Sequence, residues 1–240
     1  MAIKLNLKRI LFLIRLILKG DFRGVFRYNL WLIGYQNTLP TSVICNIPII
    51  ENGEDLVGIP NHSKIICIAP HPFVRESVAK MLVVVADNLP QGFCLKIFYA
   101  FRDQETQQRF WNEALNDAKN KNPNANSDEI IRIAKSLSAE PGGIGPHQTG
   151  GAVDVTLADL NGNELQMGTN YRDHSNIAKI PMFSKFCIPT EKANRAILRK
   201  AMLGAGFYFY PGEWWHYSYG DQSWAAYVGN SHAIYGESRI

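Results

Sequence analysis

From residue 151 to 160 apolar and polar side chains alternate with the two-residue period of a strand. Asn161-Gly162 then supplies residues that tolerate positive φ, and 164–168 returns, so the segment predicts a β-hairpin. The alternation puts Ala152, Asp154 and Thr156 on one face of its first strand, and Val153, Val155 and Leu157 on the other. Helical spacing predicts helices over 77–87 (Val78, Met81, Leu82 and Val85 on one side) and 103–118 (Phe110, Trp111, Leu115). A third helix over 128–138 is capped by Ser127 and broken by Pro141-Gly142-Gly143. A fourth over 191–205 stops at Gly204 or Gly206. Short runs at 42–50, 94–98, 207–210 and 216–219 read as strands. Helices and hairpins interleave without a βαβ rhythm or an internal repeat. The expected class is α+β, a mostly antiparallel sheet with flanking helices over 41–240.

Residues 1–40 read as a separate lead-in. Taking 3–19 as a helix at about 100° per residue, Lys4, Lys8, Arg15 and Lys19 fall within about 60° of one another. Ile3, Leu7, Ile10, Leu13, Ile14, Ile17 and Leu18 take most of the other side. A basic stripe beside a wide apolar face suits peripheral contact with an anionic membrane first, with a terminal helix packed on its own domain as the alternative and an atypical export signal or anchor behind both. The formal net charge of +4 sharpens this picture. Residues 1–27 carry seven bases against Asp21 and contribute +6, so the remaining residues sum to −2. Basicity confined to one segment argues against nucleic acid as a partner.

Composition excludes several classes. At 240 residues, 46% apolar, the chain can bury a core without staples. With 11% aromatic and 19% charged residues it is neither disordered, collagenous nor a coiled coil. No apolar run reaches the length of a membrane-spanning helix. Cys45, Cys67, Cys94 and Cys187 form no C-x-x-C pair, so they suggest cytosolic thiols rather than a thiolate metal site, with two long-range bridges as the alternative.

Two glycine-flanked segments carry candidate chemistry. In Pro146-His147-Gln148-Thr149-Gly150-Gly151-Ala152-Val153-Asp154, a carboxylate on an apolar strand needs a cation or a metal if it is buried. The glycine pair lets the chain fold back and bring His147 toward it. Imidazole and carboxylate are both zinc ligands. In Pro211-Gly212-Glu213-Trp214-Trp215-His216, His216 offers a third ligand and leaves a fourth position for water. Glu213 would face away from His216 on a regular strand, but the Pro211-Gly212 turn can take it out of that register. Apolar tryptophans beside a carboxylate raise its pKa toward that of a general base and acid.

The run His147-x-x-Gly150-x-Ala152-x-Asp154, followed by Glu213-Trp214-Trp215-His216, resembles the zinc D-alanyl-D-alanine dipeptidases of the murein D,D-peptidase group. Tyr99-Ala100-Phe101-Arg102 with Gln107, and Met167-Gly168-Thr169, match further family segments, in order, across 95–220. The resemblance implies a D,D-peptidase-like zinc fold in which His147, Asp154 and His216 hold one Zn²⁺ per chain. It also implies that Glu213 acts as general base and acid, and that Arg102 binds the oxyanion. The expected activity is hydrolysis of D-alanyl-D-alanine or a related cell-wall dipeptide. Two positions depart from the family: Gly145 stands where a Ser is usual, and Gln166 where an Asp is usual. Both usual residues help bind the dipeptide's amine. The departures favour, as runner-up, a murein carboxypeptidase or endopeptidase acting on longer peptides. A non-catalytic zinc-binding recognition module is the third reading, against which the retention of Glu213 and Arg102 argues.

Outside these segments, His62 and His71 read as loop histidines, His174 and His232 as surface residues, and Trp31 with Tyr35 as a packing patch. The apolar stretch 10–18 is short, interrupted by Arg15 and lacks a small-x-small cleavage site. The expected location is therefore the cytoplasm, at the inner membrane face, with an atypical signal anchor into the periplasm as the alternative.

Overall fold

A computed structural model of the protein describes residues 7–32 and 38–239, so the sequence readings at 3–6 and Tyr35 lie outside the described residues. The chain runs α1 (Leu7–Leu18), α2 (Phe22–Leu32), α3 (Thr41–Cys45), β1 (Leu56–Gly58), β2 (Ile65–Cys67), β3 (Phe73–Arg75), α4 (Glu76–Asn88) and β4 (Phe93–Tyr99). It continues through α5 (Gln104–Lys121), α6 (Ser127–Leu137), β5 (Ala152–Asp159), α7 (Pro189–Gly204), β6 (Tyr208–Phe209), β7 (His216–Ser218) and α8 (Gln222–Val228). Two 3₁₀ turns, Pro146–Thr149 and His174–Lys179, flank β5 and its return. Five strands form one sheet in the order β2-β4-β5-β7-β6, all pairs antiparallel except β2 with β4, while β1 and β3 pair apart. The class is α+β, as the interleaved pattern indicates.

The central strand β5 explains where the core sits. Val153, Val155 and Leu157 enter the main core with Leu82 and Val85 of α4 and Leu198 of α7. The opposite face, carrying Asp154, is buried as well. A second core joins Phe12 and Leu16 of α1, Tyr28 and Trp31 of α2, and Val43 of α3 to Ala225, Ala226 and Tyr227 of α8. Tyr28 and Trp31 lie 5.4 Å apart between ring centroids, and Trp31 meets Tyr227 edge-on at 5.6 Å. The Leu39 amide donates to the Tyr227 hydroxyl at 3.0 Å. The described residues of 1–40 thus hold two helices rather than one, packed through shared apolar side chains onto α3 and α8.

Several local expectations shift. Residues 42–50 are not a strand: Pro40 precedes a short helix, and Val43 is fully buried in the second core, so packing overrides β-propensity. Asn126, not Ser127, caps α6, accepting from the Glu129 amide at 2.9 Å. The hairpin turns at Gly162, where φ is +84°. Its return pairs with β5 only around Ala158 and Glu164, because further along the same edge is taken by β7.

Candidate active site

The site lies at the end of the sheet where β4 finishes and β5 and β7 begin. Asp154 on β5 pairs directly with His216 on β7 and sits opposite Tyr99 on β4. Side chains directly opposite in an antiparallel pair have Cβ atoms about 5 Å apart, so strand register alone brings His216 to Asp154. His147 arrives from the 3₁₀ turn just ahead. That approach needs glycines. Gly150 has φ of +72°, and a Cβ there would meet Leu56 at 2.3 Å; one on Gly151 would meet the Tyr219 carbonyl at 2.3 Å. Arg102 follows β4, its amide donating to the His147 carbonyl at 3.2 Å. Glu213 lies in the turn ahead of β7, its amide donating to the Tyr210 carbonyl, so it escapes the strand register that would have turned it away.

Arg102, His147, Asp154, Glu213 and His216 all line one cleft of about 510 Å³. His147 Nε2 stands 3.2 Å and His216 Nδ1 2.9 Å from the same Asp154 Oδ1. The three candidate ligand atoms lie within 4.8 Å of one another, a single such group among the described residues. The donor set fits a cation on chemical grounds. His147 Nδ1 is 2.7 Å from the Ala100 carbonyl, which can only accept, so that nitrogen carries the proton. Burial, first of all, pushes the His147 pKa down to about 4 and keeps the ring neutral. Its Nε2 lone pair therefore faces a carboxylate oxygen. Two acceptors pointed at each other in a buried place call for a positive ion between them. A carbonyl behind a ligating imidazole is also the usual partner that fixes its tautomer. Between His216 and Asp154 burial works against both charges, while their mutual hydrogen bond raises the His216 pKa and the two imidazoles hold Asp154 well below the carboxylate range.

Glu213 is half-buried beside this group. Burial raises its pKa first of all; the Asp154 charge adds to the rise, while His216, Arg102 and Arg172 oppose it. Arg102 is held by Gln107, whose Oε1 accepts from Nη1 at 3.0 Å, and by the faces of Tyr99 and Phe110 at 4.6 and 4.7 Å. Gln107 is anchored in turn on the Ala139 carbonyl. The buried Arg102 Nε–H has no hydrogen-bond partner among the described residues.

Four residues escape the sequence reading. Tyr171 donates to Asp154 Oδ2 at 2.8 Å and stacks on Phe98 at 4.5 Å, which fixes the carboxylate from behind. Arg172 lines the cleft with its guanidinium 4.0 Å above the Phe110 ring, the ring that also carries Arg102. It is the one non-glycine with positive φ (+54°) among the described residues, a conformation that concentrates at functional sites. His174, expected at the surface, is half-buried and lines the cleft, because the 3₁₀ turn it opens folds back over the site. Ile44 of α3 forms part of the wall. Only Tyr171 had a sequence signal, standing two residues past Thr169, whose Oγ1 accepts from Trp214 Nε1 at 2.9 Å. Of the two departures, Gly145 lines the cleft and Gln166 is not among its described lining residues; the Gln166 carbonyl accepts from Asn194.

A family model described as D-ala-D-ala dipeptidase matches residues 69–234. The chain is 28% identical over 221 residues to a D-alanyl-D-alanine dipeptidase of Synechocystis, covering 75% of this chain and 87% of that protein. A D-alanyl-D-alanine dipeptidase of Escherichia coli is 28% identical over 148 residues, or 60% of this chain and 64% of the relative. Among solved structures, the LD-carboxypeptidase LdcB aligns with a TM-score of 0.45 and 21% identity, over 75% of this chain and 73% of its own.

Proposed function

Because this chain belongs to the D-Ala-D-Ala dipeptidase family and is a zinc metallopeptidase, we propose that it hydrolyses the peptide bond of D-alanyl-D-alanine or a related cell-wall dipeptide. One observation carries the reading: Arg102, His147, Asp154, Glu213 and His216 converge on a single cleft. His147, Asp154 and His216 would hold the zinc, which when bound supplies a Lewis acid and an activated water. Glu213, with its raised pKa, takes a proton from the attacking water and returns it to the leaving amine nitrogen as the C–N bond breaks. Arg102, held by Gln107 and two aromatic faces, offers N–H donors to the carbonyl oxygen as negative charge develops there. Arg172 carries no carboxylate partner among the described residues and suits the peptide's terminal carboxylate.

A digest panel tests this: D-Ala-D-Ala, its N-acetylated form and a murein pentapeptide, each with zinc-loaded protein. Cleavage of the free dipeptide above both others is the expected result. Cleavage of only the blocked or longer peptides would overturn it in favour of a carboxypeptidase or endopeptidase. The second reading has its own support, since a cleft of about 510 Å³ is of the size that drug-sized ligands fill and no Asp stands at 166 to meet a free amine.

The reading also keeps the protein in the cytoplasm, at the inner membrane face. Arg15, in the last turn of α1, donates to the Ser231 carbonyl at 3.2 Å. Drawing α1 across a bilayer as an anchor would break that contact and bury a guanidinium, at a cost of about 2.5–3.5 kcal/mol. Protease attack on the protein in intact spheroplasts would overturn this placement.

A further inference from the structure

The apolar residues of α1 divide between two faces. Phe12 and Leu16 point inward and are fully or almost fully buried against Tyr28 and the α8 side chains. Leu7, Ile10, Leu11, Ile14, Ile17 and Leu18 are exposed, Leu7 and Leu18 by 71% and 82%. These six occupy a continuous arc of about 120° on a 3.6-residue helix, the width of a face meant to be covered. On α2, Phe22 and Phe26 stand one turn apart and are 69% and 64% exposed. A folded chain rarely leaves so much large apolar surface together in water, and such patches mark sites of association.

Charge says what covers it. The segment 1–27 has a net charge of +6 on a body of −2. Arg15 and Lys19 fall on the wheel between the inward and outward faces. They bond to neutral oxygens, Arg15 to the Ser231 carbonyl and Lys19 to the Asn46 carbonyl and side-chain oxygen, both at 3.3 Å for Lys19. Neither has a carboxylate partner among the described residues, so their charge is left uncompensated. Arg23 stands exposed beside Phe22. An apolar face flanked by uncompensated cations matches an anionic lipid surface, which offers acyl chains to the first and phosphate to the second. No helix among the described residues is long and apolar enough to cross a membrane, so the face would lie on the surface rather than span it.

We propose that α1 and α2 together form a docking face for anionic phospholipid, with Phe12 and Leu16 stapling the face to the body of the enzyme. The unit is a hairpin of two helices rather than a free terminal helix. Through the second core it is joined to α3, which lines the catalytic cleft, so docking fixes the cleft's orientation toward the bilayer.

Co-sedimentation of the full chain with vesicles tests this, using phosphatidylglycerol mixed with phosphatidylcholine, and phosphatidylcholine alone. The wild type should bind the mixed vesicles, weaken as salt rises, and bind the neutral ones little. The double variant Leu11→Glu/Ile14→Glu should bind at least about 100-fold more weakly, with unchanged melting and unchanged hydrolysis of a small peptide. Should that variant fail to fold, Phe26→Glu on α2 alone should lower binding about 10-fold. Failure of the wild type to bind anionic vesicles, or equal binding to both kinds, would overturn the proposal. So would a concentration-dependent dimer that Ile14→Glu dissociates, since the face would then be covered by a second copy.

Discussion

In the cleft, five titratable or charged side chains are drawn out of bulk water around the start of β5, whereas on α1 six large apolar side chains stand in it. The ordinary distribution of residues is reversed at both places, and each reversal is uphill by itself. They differ in how they are stabilised. The cleft's side chains are braced from within the chain: His147 leans on the Ala100 carbonyl, Asp154 on Tyr171, and Arg102 on Gln107. The helical face has no such internal partners and, on the docking proposed above, is covered from outside. A buried polar group therefore reports chemistry within the chain, while an exposed apolar face reports chemistry outside it.

The sharpest way to break this contrast is to remove chemistry from the cleft without disturbing its scaffold. Glu213→Ala should lower hydrolysis by about 10²–10⁴-fold while zinc content, read by elemental analysis, stays at the wild-type level. His147→Ala, Asp154→Ala or His216→Ala should each lose the metal. Full zinc in the His216→Ala protein would sink the ligand assignment, and near-normal turnover in Glu213→Ala would sink its role.

Next in size is the staple that joins the two regions. Leu16 is fully buried between α1 and the second core. Leu16→Ala should cost about 2–5 kcal/mol in urea unfolding, through lost burial and the cavity left behind. A negligible cost would mean that α1 does not belong to the folded body.

The two regions were unequally legible in the sequence, and the reason is physical. His147, Asp154, Glu213 and His216 stand close along the chain to glycines and a turn that can deliver them to one point, so their spacing carried the site. The alternation along β5 likewise separated Val153, Val155 and Leu157 from Asp154. Arg172 was invisible, and Tyr171 was marked only by its nearness to Thr169, because their roles depend on where a loop without periodicity returns. The short helix at Thr41–Cys45 was masked by β-branched residues whose burial, not propensity, decides their conformation. Along α1 the sequence showed amphipathicity but not which apolar residues face inward. Phe12 and Leu16 are told apart from Ile14 and Ile17 only by tertiary packing, with Phe12 against Tyr28 of α2 and both in the core that α8 completes some two hundred residues later.

Tyr171→Phe keeps the ring on Phe98 and removes only the hydroxyl that donates to Asp154 Oδ2. Zinc affinity in competition with a chelator should fall about 10- to 100-fold, the usual effect of deleting a partner behind a metal ligand. Unchanged affinity would mean that the strand register alone orients the carboxylate. Arg172→Gly removes a cation from the cleft and also relieves a left-handed backbone that glycine adopts freely. KM should rise about 10-fold with kcat little altered, the signature of lost ground-state binding. Melting should hold or rise slightly, and a drop in kcat alone would move Arg172 from substrate binding to the chemical step.

The smallest expected effect is the most pointed. Ile14 sits half a turn from Leu16 and is 45% exposed, where Leu16 is wholly buried. If the outward face of α1 contributes nothing to the folded chain in solution, Ile14→Ala should change stability by no more than about 0.5 kcal/mol, the range of ordinary surface substitutions. Alanine favours the helix over isoleucine, so any shift should be slightly stabilising. Equilibrium unfolding of Ile14→Ala beside Leu16→Ala separates the two faces directly. A loss at Ile14 comparable with that at Leu16 would show that both faces of α1 are packed in solution, and the contrast between an internally braced cleft and an uncovered helix face would dissolve.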